Sequence, residues 1–282
     1  MDLLQYLVFA LLGSTLAGTL GAIVGLGGGI VVVPLLTIFL GIDIRYAIGA
    51  SIVSVIATSS GAAAAYVREG ITNRRVGLVL ATATTTGAVT GTLAAAYISA
   101  QALYLIFAVI LGYSAMAMFQ KRHVDVPINA PDHPWARRLR LAGAYPDATL
   151  GKMVHYNVGC VPLALVLMYA SGIVSGLLGI GSGSLNVPAM DMVLRLPLKV
   201  STATSNFMIG VTAAASASLY FARGDIVPIV AAPVAIGVLI GAMAGARAMV
   251  RLRTPVIRQI FVFVLVVIAL QMGAKGLNLR LI

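Results

Sequence analysis

One short stretch occurs twice and limits what this chain can become. The first copy is Gly25-Leu26-Gly27-Gly28-Gly29-Ile30-Val31-Val32-Val33-Pro34. The second is Gly179-Ile180-Gly181-Ser182-Gly183-Ser184-Leu185-Asn186-Val187-Pro188. Both lie between apolar runs. Non-helical backbone at membrane depth is tolerated only where protein buries it or where it lines a cavity. Each cluster therefore predicts a break in a membrane helix. A helix restarting after a break has unpaired N–H groups and a positive dipole end, which attract an anion without any charged side chain. Breaks at corresponding places in two halves of a membrane chain point to a transport site.

The two prolines are 154 residues apart, and the same gapless shift aligns much more. It carries Ser51 onto Ser205, Thr58 onto Thr212, Tyr66 onto Tyr220, Gly87 and Gly91 onto Gly241 and Gly245, and basic Arg45 onto basic Lys199. The chain reads as an internal duplication, roughly residues 3–119 and 157–273. Its organisation is a first transmembrane repeat at 1–119, a linker loop at 120–156 and a second repeat at 157–282.

Composition agrees. Of 282 residues, 60% are hydrophobic and only 10% charged, against about 25% charged in a soluble domain. Each half divides into five apolar segments, near 3–24, 30–40, 46–66, 77–98 and 102–119, then 158–178, 184–194, 200–221, 226–246 and 257–273. The segment after each break, about 11 residues, covers roughly half of a core about 30 Å thick. The expected fold is an all-α polytopic membrane protein with eight full spans and two half-length re-entrant or broken helices. The N-terminus lacks the basic start of a signal peptide, so the first apolar run counts as a span.

Orientation follows from lysine and arginine in the short loops. With five segments per half and loop 120–156 in the cytoplasm, 15 of the 19 basic residues lie inside and four outside. With four spans per half the division is 12 to 7. The five-segment count is favoured. Because five is odd, the repeats are expected to be inverted, with both termini periplasmic. The net charge of +11 then belongs to cytoplasmic loops lying on anionic lipid, not to nucleic-acid binding. The proline-rich loop holds a basic stretch, Ala136 to Leu141, that suits a short surface helix. The single cysteine, Cys160, excludes an internal disulfide, and His123, His133 and His155 lack metal-ligand spacing. Neither metal nor cofactor is expected.

The candidate substrate contacts are the break residues Gly27, Gly28, Gly29, Gly181, Ser182 and Gly183, with Ser184 and Asn186 just beyond the second break. The hydroxyls of Ser51, Ser54 and Ser205 and the amide of Asn206 lie on the long segment that follows each short one. They fit two roles, contact with the substrate or hydrogen bonding between helices. The glycine pairs Gly87/Gly91 and Gly241/Gly245 read as close helix packing. Asp191 is the only acid inside an apolar stretch. It reads either as a proton carrier or, in preference, as an i,i+4 partner of Arg195. Gly181-Ser182-Gly183 has the look of a serine nucleophile in a tight turn, but no histidine lies within a span to serve as its base. An enzyme is not expected.

The paired motif Gly-x-Gly-Gly-Gly-x-x-x-x-Pro at Gly25–Pro34, its echo at Gly179–Pro188 and the hydroxyl-rich stretch after each resemble the TauE/SafE family of sulfite exporters and sulfonate permeases. The resemblance covers both repeats. It implies an inner-membrane secondary transporter for small sulfur-containing anions such as sulfite or organosulfonates; direction varies within the family, and export is the preferred reading. An anion channel and an uptake permease for another small organic anion are the alternatives. Ser182, where the first copy has Gly28, departs from the motif.

Overall fold

The computed structural model describes residues 3–120, 133–147 and 151–277. In chain order its elements are α1 (Leu3–Val24), α2 (Gly29–Pro34, running on into a π-helical turn Leu35–Phe39), α3 (Ile44–Arg68), α4 (Arg74–Ala95), α5 (Ala100–Gln120), α6 (Pro134–Arg138), β1 (Gly143–Asp147), β2 (Lys152–Tyr156), α7 (Val161–Leu178), α8 (Gly183–Met192), α9 (Leu198–Ala222), α10 (Pro228–Arg251) and α11 (Thr254–Gly276). Local chemistry sets several of the ends. The Asp43 and Asn73 carboxylate and amide oxygens cap α3 and α4 by accepting from Arg45 N and Val76 N. Helices α7, α10 and α11 carry proline in the first turn, where its missing N–H costs nothing.

Among the described residues, seven helices are long and apolar enough to cross a membrane: α1, α3, α4, α5, α7, α10 and α11. The eighth expected span is α9. It has the same 25-residue length as α3, its repeat mate. Its lower apolarity comes from buried Ser201, Thr202, Thr204, Ser205, Asn206, Thr212 and Ser216. The short segments after the breaks are α2 with its π turn and α8.

The two halves interlock. Helix α1 packs along α10, and its counterpart α7 packs along α4. Glycine makes both contacts possible. A Cβ on Gly87 would stand 2.1 Å from the Tyr169 carbonyl oxygen, and one on Gly241 would stand 1.9 Å from that of Thr15. Helices α5 and α11 run in opposite directions: the Gln101 amide at the start of α5 donates to the carbonyl of Gly276 at the end of α11. Helices α3 and α9 are likewise opposed, because Asn73, just past the end of α3, donates through its backbone N–H to Thr204 near the start of α9.

The linker corrects the all-α expectation. Residues 143–147 and 152–156 form an antiparallel hairpin, too short for hydrophobic alternation to announce it. The expected basic helix ends at Arg138, because Arg140 takes a left-handed conformation, φ 51°. Lys121, Arg122 and Arg280, counted in the orientation argument, and His123 lie outside the described residues.

Candidate substrate site at the paired helix breaks

Both breaks are made by left-handed backbone. Gly25, Gly27 and Gly28 have φ of 80°, 74° and 49°; Gly179, Gly181 and Ser182 have 65°, 78° and 55°. Ser182 thus adopts the conformation of Gly28 despite its Cβ, at a cost of about 1–2 kcal/mol. Its neighbours hold it there. The Ser182 hydroxyl accepts from the Asn186 amide at 3.0 Å, and the Ser171 hydroxyl donates to Asn186 Oδ1 at 2.8 Å. Ser171 was not among the sequence candidates; its counterpart is Ala17, so the repeat carried no signal for it.

The breaks sit against each other, sealed inside the bundle. A Cβ on Gly183 would stand 2.3 Å from the Gly25 carbonyl oxygen, and one on Gly29 2.6 Å from Ser51 Oγ. Each repeat also braces the other. Ser51 Oγ donates to Gly179 O at 2.8 Å, with Gly29 O at 3.2 Å, while Ser205 Oγ donates to Gly25 O at 2.9 Å. Each donor and each acceptor in this crossed pair maps onto the other under the repeat shift. Tyr66 and Tyr220 add a second pair, donating to the carbonyls of Ala22 and Gly176, again equivalent positions in the last turns of α1 and α7. The tyrosines had marked the repeat register, and only the packing reveals that they hold the helix ends.

The site candidates therefore divide. Ser51 and Ser205 commit their single protons to carbonyls across the break. Ser54 donates within its own helix to Ser51 O. Asn206 gives its amide protons to Ala22 O and Thr202 O. In the first break the Gly29 N–H turns back onto Gly27 O, and the Gly28 carbonyl accepts from Val31 and Val32. The second break is less satisfied. The backbone N–H groups of Gly181, Ser182, Gly183 and Ser184 have no acceptor among the described residues. The side-chain oxygens Ser184 Oγ, Thr202 Oγ1 and Asn206 Oδ1 are buried without a partner. Thr202 flanks Gly25, where a Cβ would stand 2.9 Å from Thr202 Cα. An unpaired buried polar group costs about 1–3 kcal/mol, so each of these groups is open to a partner that can satisfy it.

Asp191 corrects an expectation. It pairs with Arg258 at the start of α11, 3.4 Å from oxygen to nitrogen, and both side chains are buried. An i,i+4 pair with Arg195 requires helix through residue 195. Helix α8 ends at Met192 and Arg195 is left-handed at φ 55°, so the arginine leaves that face.

Two cavities lie near opposite ends of α3. One, about 310 Å³, is lined by Arg45, Ile48, Ala95, Tyr220, Arg223 and Asp225 among others. The other, about 330 Å³, is lined by Glu69, Ile71 and Val250 together with hairpin residues including Asp147 and Lys152. Among the described residues no group of histidine, cysteine and carboxylate side chains could hold a metal ion.

A sequence model of the family described as Sulfite exporter TauE/SafE matches residues 10–272. The chain is 28% identical over 213 residues to the probable membrane transporter protein YunE of Bacillus subtilis (strain 168), covering 73% of this chain and 74% of the relative. It is 26% identical to the probable membrane transporter protein YdhB of the same organism, covering 79% and 82%. A probable membrane transporter protein of Xylella fastidiosa (strain 9a5c) is 27% identical, covering 79% and 77%. No solved structure matches.

Proposed function

Since the chain belongs to the TauE/SafE family of membrane transporters, we propose that it is a secondary carrier of small sulfur oxyanions, working by alternating access around the paired breaks. The observation that carries this reading is the unsatisfied second break: unpaired N–H groups opening α8, with the Ser184 hydroxyl beside them. Backbone donors and a hydroxyl could replace the water around an oxyanion and still release it, since no lysine or arginine among the described residues bonds to these groups. Ser51 and Ser205 then act as braces that set the distance between the breaks, while Ser182, Gly183 and Ser184 meet the anion.

Asn206 Oδ1 refines the substrate class. It is an acceptor with both amide protons already engaged. Such a group suits an anion that keeps a proton, as hydrogensulfite does, and disfavours fully ionised sulfate. The opposed directions of α3 with α9 and of α5 with α11, each pair related by the repeat shift, support inverted repeats and eight full spans. Inverted repeats are a carrier architecture. We place the protein in the inner membrane with loop 120–156 cytoplasmic, on the balance of basic residues.

The test is counterflow of radiolabelled sulfite in proteoliposomes holding purified protein, with sulfate, sulfoacetate and acetate as competitors. Saturable counterflow little affected by sulfate, sulfoacetate or acetate is the expected result. Ohmic single-channel current without counterflow would replace the carrier by a channel.

A further inference from the structure

A serine placed just before a helix ordinarily turns its hydroxyl oxygen onto the N–H groups of the first turn. Ser182 stands at that place before α8, yet its side chain makes no such bond. Its oxygen accepts instead from the Asn186 amide at 3.0 Å, and Asn186 Oδ1 accepts from the Ser171 hydroxyl at 2.8 Å. Ser171 Oγ also lies 3.1 Å from Ser182 O, which seats α7 directly over the break.

The direction of this chain of bonds has two effects. Ser171 engages the oxygen of the Asn186 amide, so the NH2 group faces Ser182. The Ser182 oxygen is thereby taken as an acceptor, and its own proton is left over. Nothing among the described residues accepts that proton. Ser171, Ser182, Ser184 and Asn186 are all fully buried, so bulk water does not take it either. The first effect is a polarised hydroxyl donor at the break. The second is that the N–H groups of Gly183 and Ser184 stay uncapped beside it.

The first break has none of these parts. Under the repeat shift Ser171, Ser182 and Asn186 become Ala17, Gly28 and Val32. The turn itself is nonetheless the same, with φ 49° at Gly28 and 55° at Ser182. The trio is therefore not needed to shape the break, and glycine suits that backbone better than serine. A strained serine that neither caps its helix nor makes the turn has its use in the proton it presents.

We propose that Ser171 and Asn186 are positioning residues of the anion site. They direct the Ser182 proton and keep the first N–H groups of α8 open, so the second break, and not the first, recognises a small oxyanion such as hydrogensulfite. The proposal rests on the carrier reading given above for the presence of an anion at this break.

Purified full-length protein is titrated calorimetrically with sulfite, and separately with phosphate and acetate, and thermal unfolding is recorded for each variant. Ser182→Gly should weaken sulfite binding about tenfold or more, the effect of losing a hydrogen bond to an anion. Ser171→Ala and Asn186→Val should each weaken it about as much. In the Ser182→Gly background the same two changes together should add less than twofold, because no proton remains to be positioned. That triple variant carries the residues of the first break, a set this chain already folds with. Ser171→Thr keeps the hydroxyl and should bind within threefold of the unchanged protein. If Asn186→Val does not fold alone, Ser171→Ala with and without Ser182→Gly makes the same comparison. A packing role predicts equal losses with and without Ser182→Gly, in step with falling melting temperature, and that result would overturn the proposal. Unchanged affinity in folded Ser171→Ala and Asn186→Val would overturn it too, and either result leaves the carrier reading standing. Binding of phosphate or acetate but not sulfite would remove the substrate of the carrier reading instead, and the comparison is then made with the anion that binds. Binding of none of the three would overturn both.

Discussion

The Ser51 hydroxyl donates to the carbonyl of Gly179, 2.8 Å away and 128 residues along the chain. The Ser205 hydroxyl repeats the gesture toward Gly25. Each helix break thus has its last carbonyl satisfied by the other repeat. Each break takes one hydrogen bond from the opposite half of the chain.

Removing either hydroxyl should therefore be felt as stability. Ser51→Ala and Ser205→Ala each leave a buried carbonyl short of a donor and should cost about 1–3 kcal/mol. The two substitutions should have matching effects, given their equivalent geometry. Thermal unfolding of detergent-solubilised protein measures both. A loss confined to Ser51→Ala would argue against equivalent braces.

Ser184→Ala should behave in the opposite way. Its hydroxyl is buried and unpaired, so deleting it should leave thermal stability unchanged or slightly raised. If the hydroxyl meets the anion, binding should weaken by about 1.5–3 kcal/mol, the range for a hydrogen bond to a charged group. Isothermal titration with sulfite checks this. Unchanged affinity in Ser184→Ala would remove that residue from the site.

Glycine substitutions cannot separate substrate contact from packing at the second break. A Cβ on Gly183 meets the backbone oxygen of Gly25, much as one on Gly87 meets that of Tyr169. Gly183→Val should therefore fail to give folded protein, as should Gly87→Val and Gly241→Val. Even alanine at these sites forces a backbone shift, costing about 1–3 kcal/mol. Size-exclusion profiles of the three alanine variants, alongside thermal unfolding, should show losses of similar size.

Asp191→Asn leaves Arg258 buried without its carboxylate and should destabilise the protein by about 3–5 kcal/mol. Asp191→Asn with Arg258→Gln should recover most of that loss, and Asp191→Asn with Arg195→Gln should recover none. Melting temperatures of the three variants decide the partner. If the recovered double variant still concentrates sulfite against a gradient, Asp191 is not a proton carrier.

Orientation is testable at described positions. In a Cys160→Ser background, Arg45→Cys should react with an impermeant thiol reagent in intact cells, and Met153→Cys on the hairpin should not. The reverse pattern would place the hairpin outside. Asp2, Asp132 and Asn278, natural choices from the sequence, lie outside the described residues.

The chain's pattern alone predicted the breaks and placed most helix ends to within a few residues. Apolar length dictates a span, and glycine clusters followed by proline dictate where one cannot continue. The left-handed angles at Gly25, Gly27 and Gly28 follow from residue type. Tertiary structure decided what the polar side chains do. Ser51 could have met a substrate or a carbonyl, and its partner Gly179 is remote in sequence. Arg258 rather than Arg195 takes Asp191 because α8 stops three residues short of Arg195, a local event that spacing does not encode. The hairpin carboxylate of Asp147 on Lys199 was least legible of all: it joins a linker to a helix start across the pseudo-symmetry, and only folding brings those two charges together.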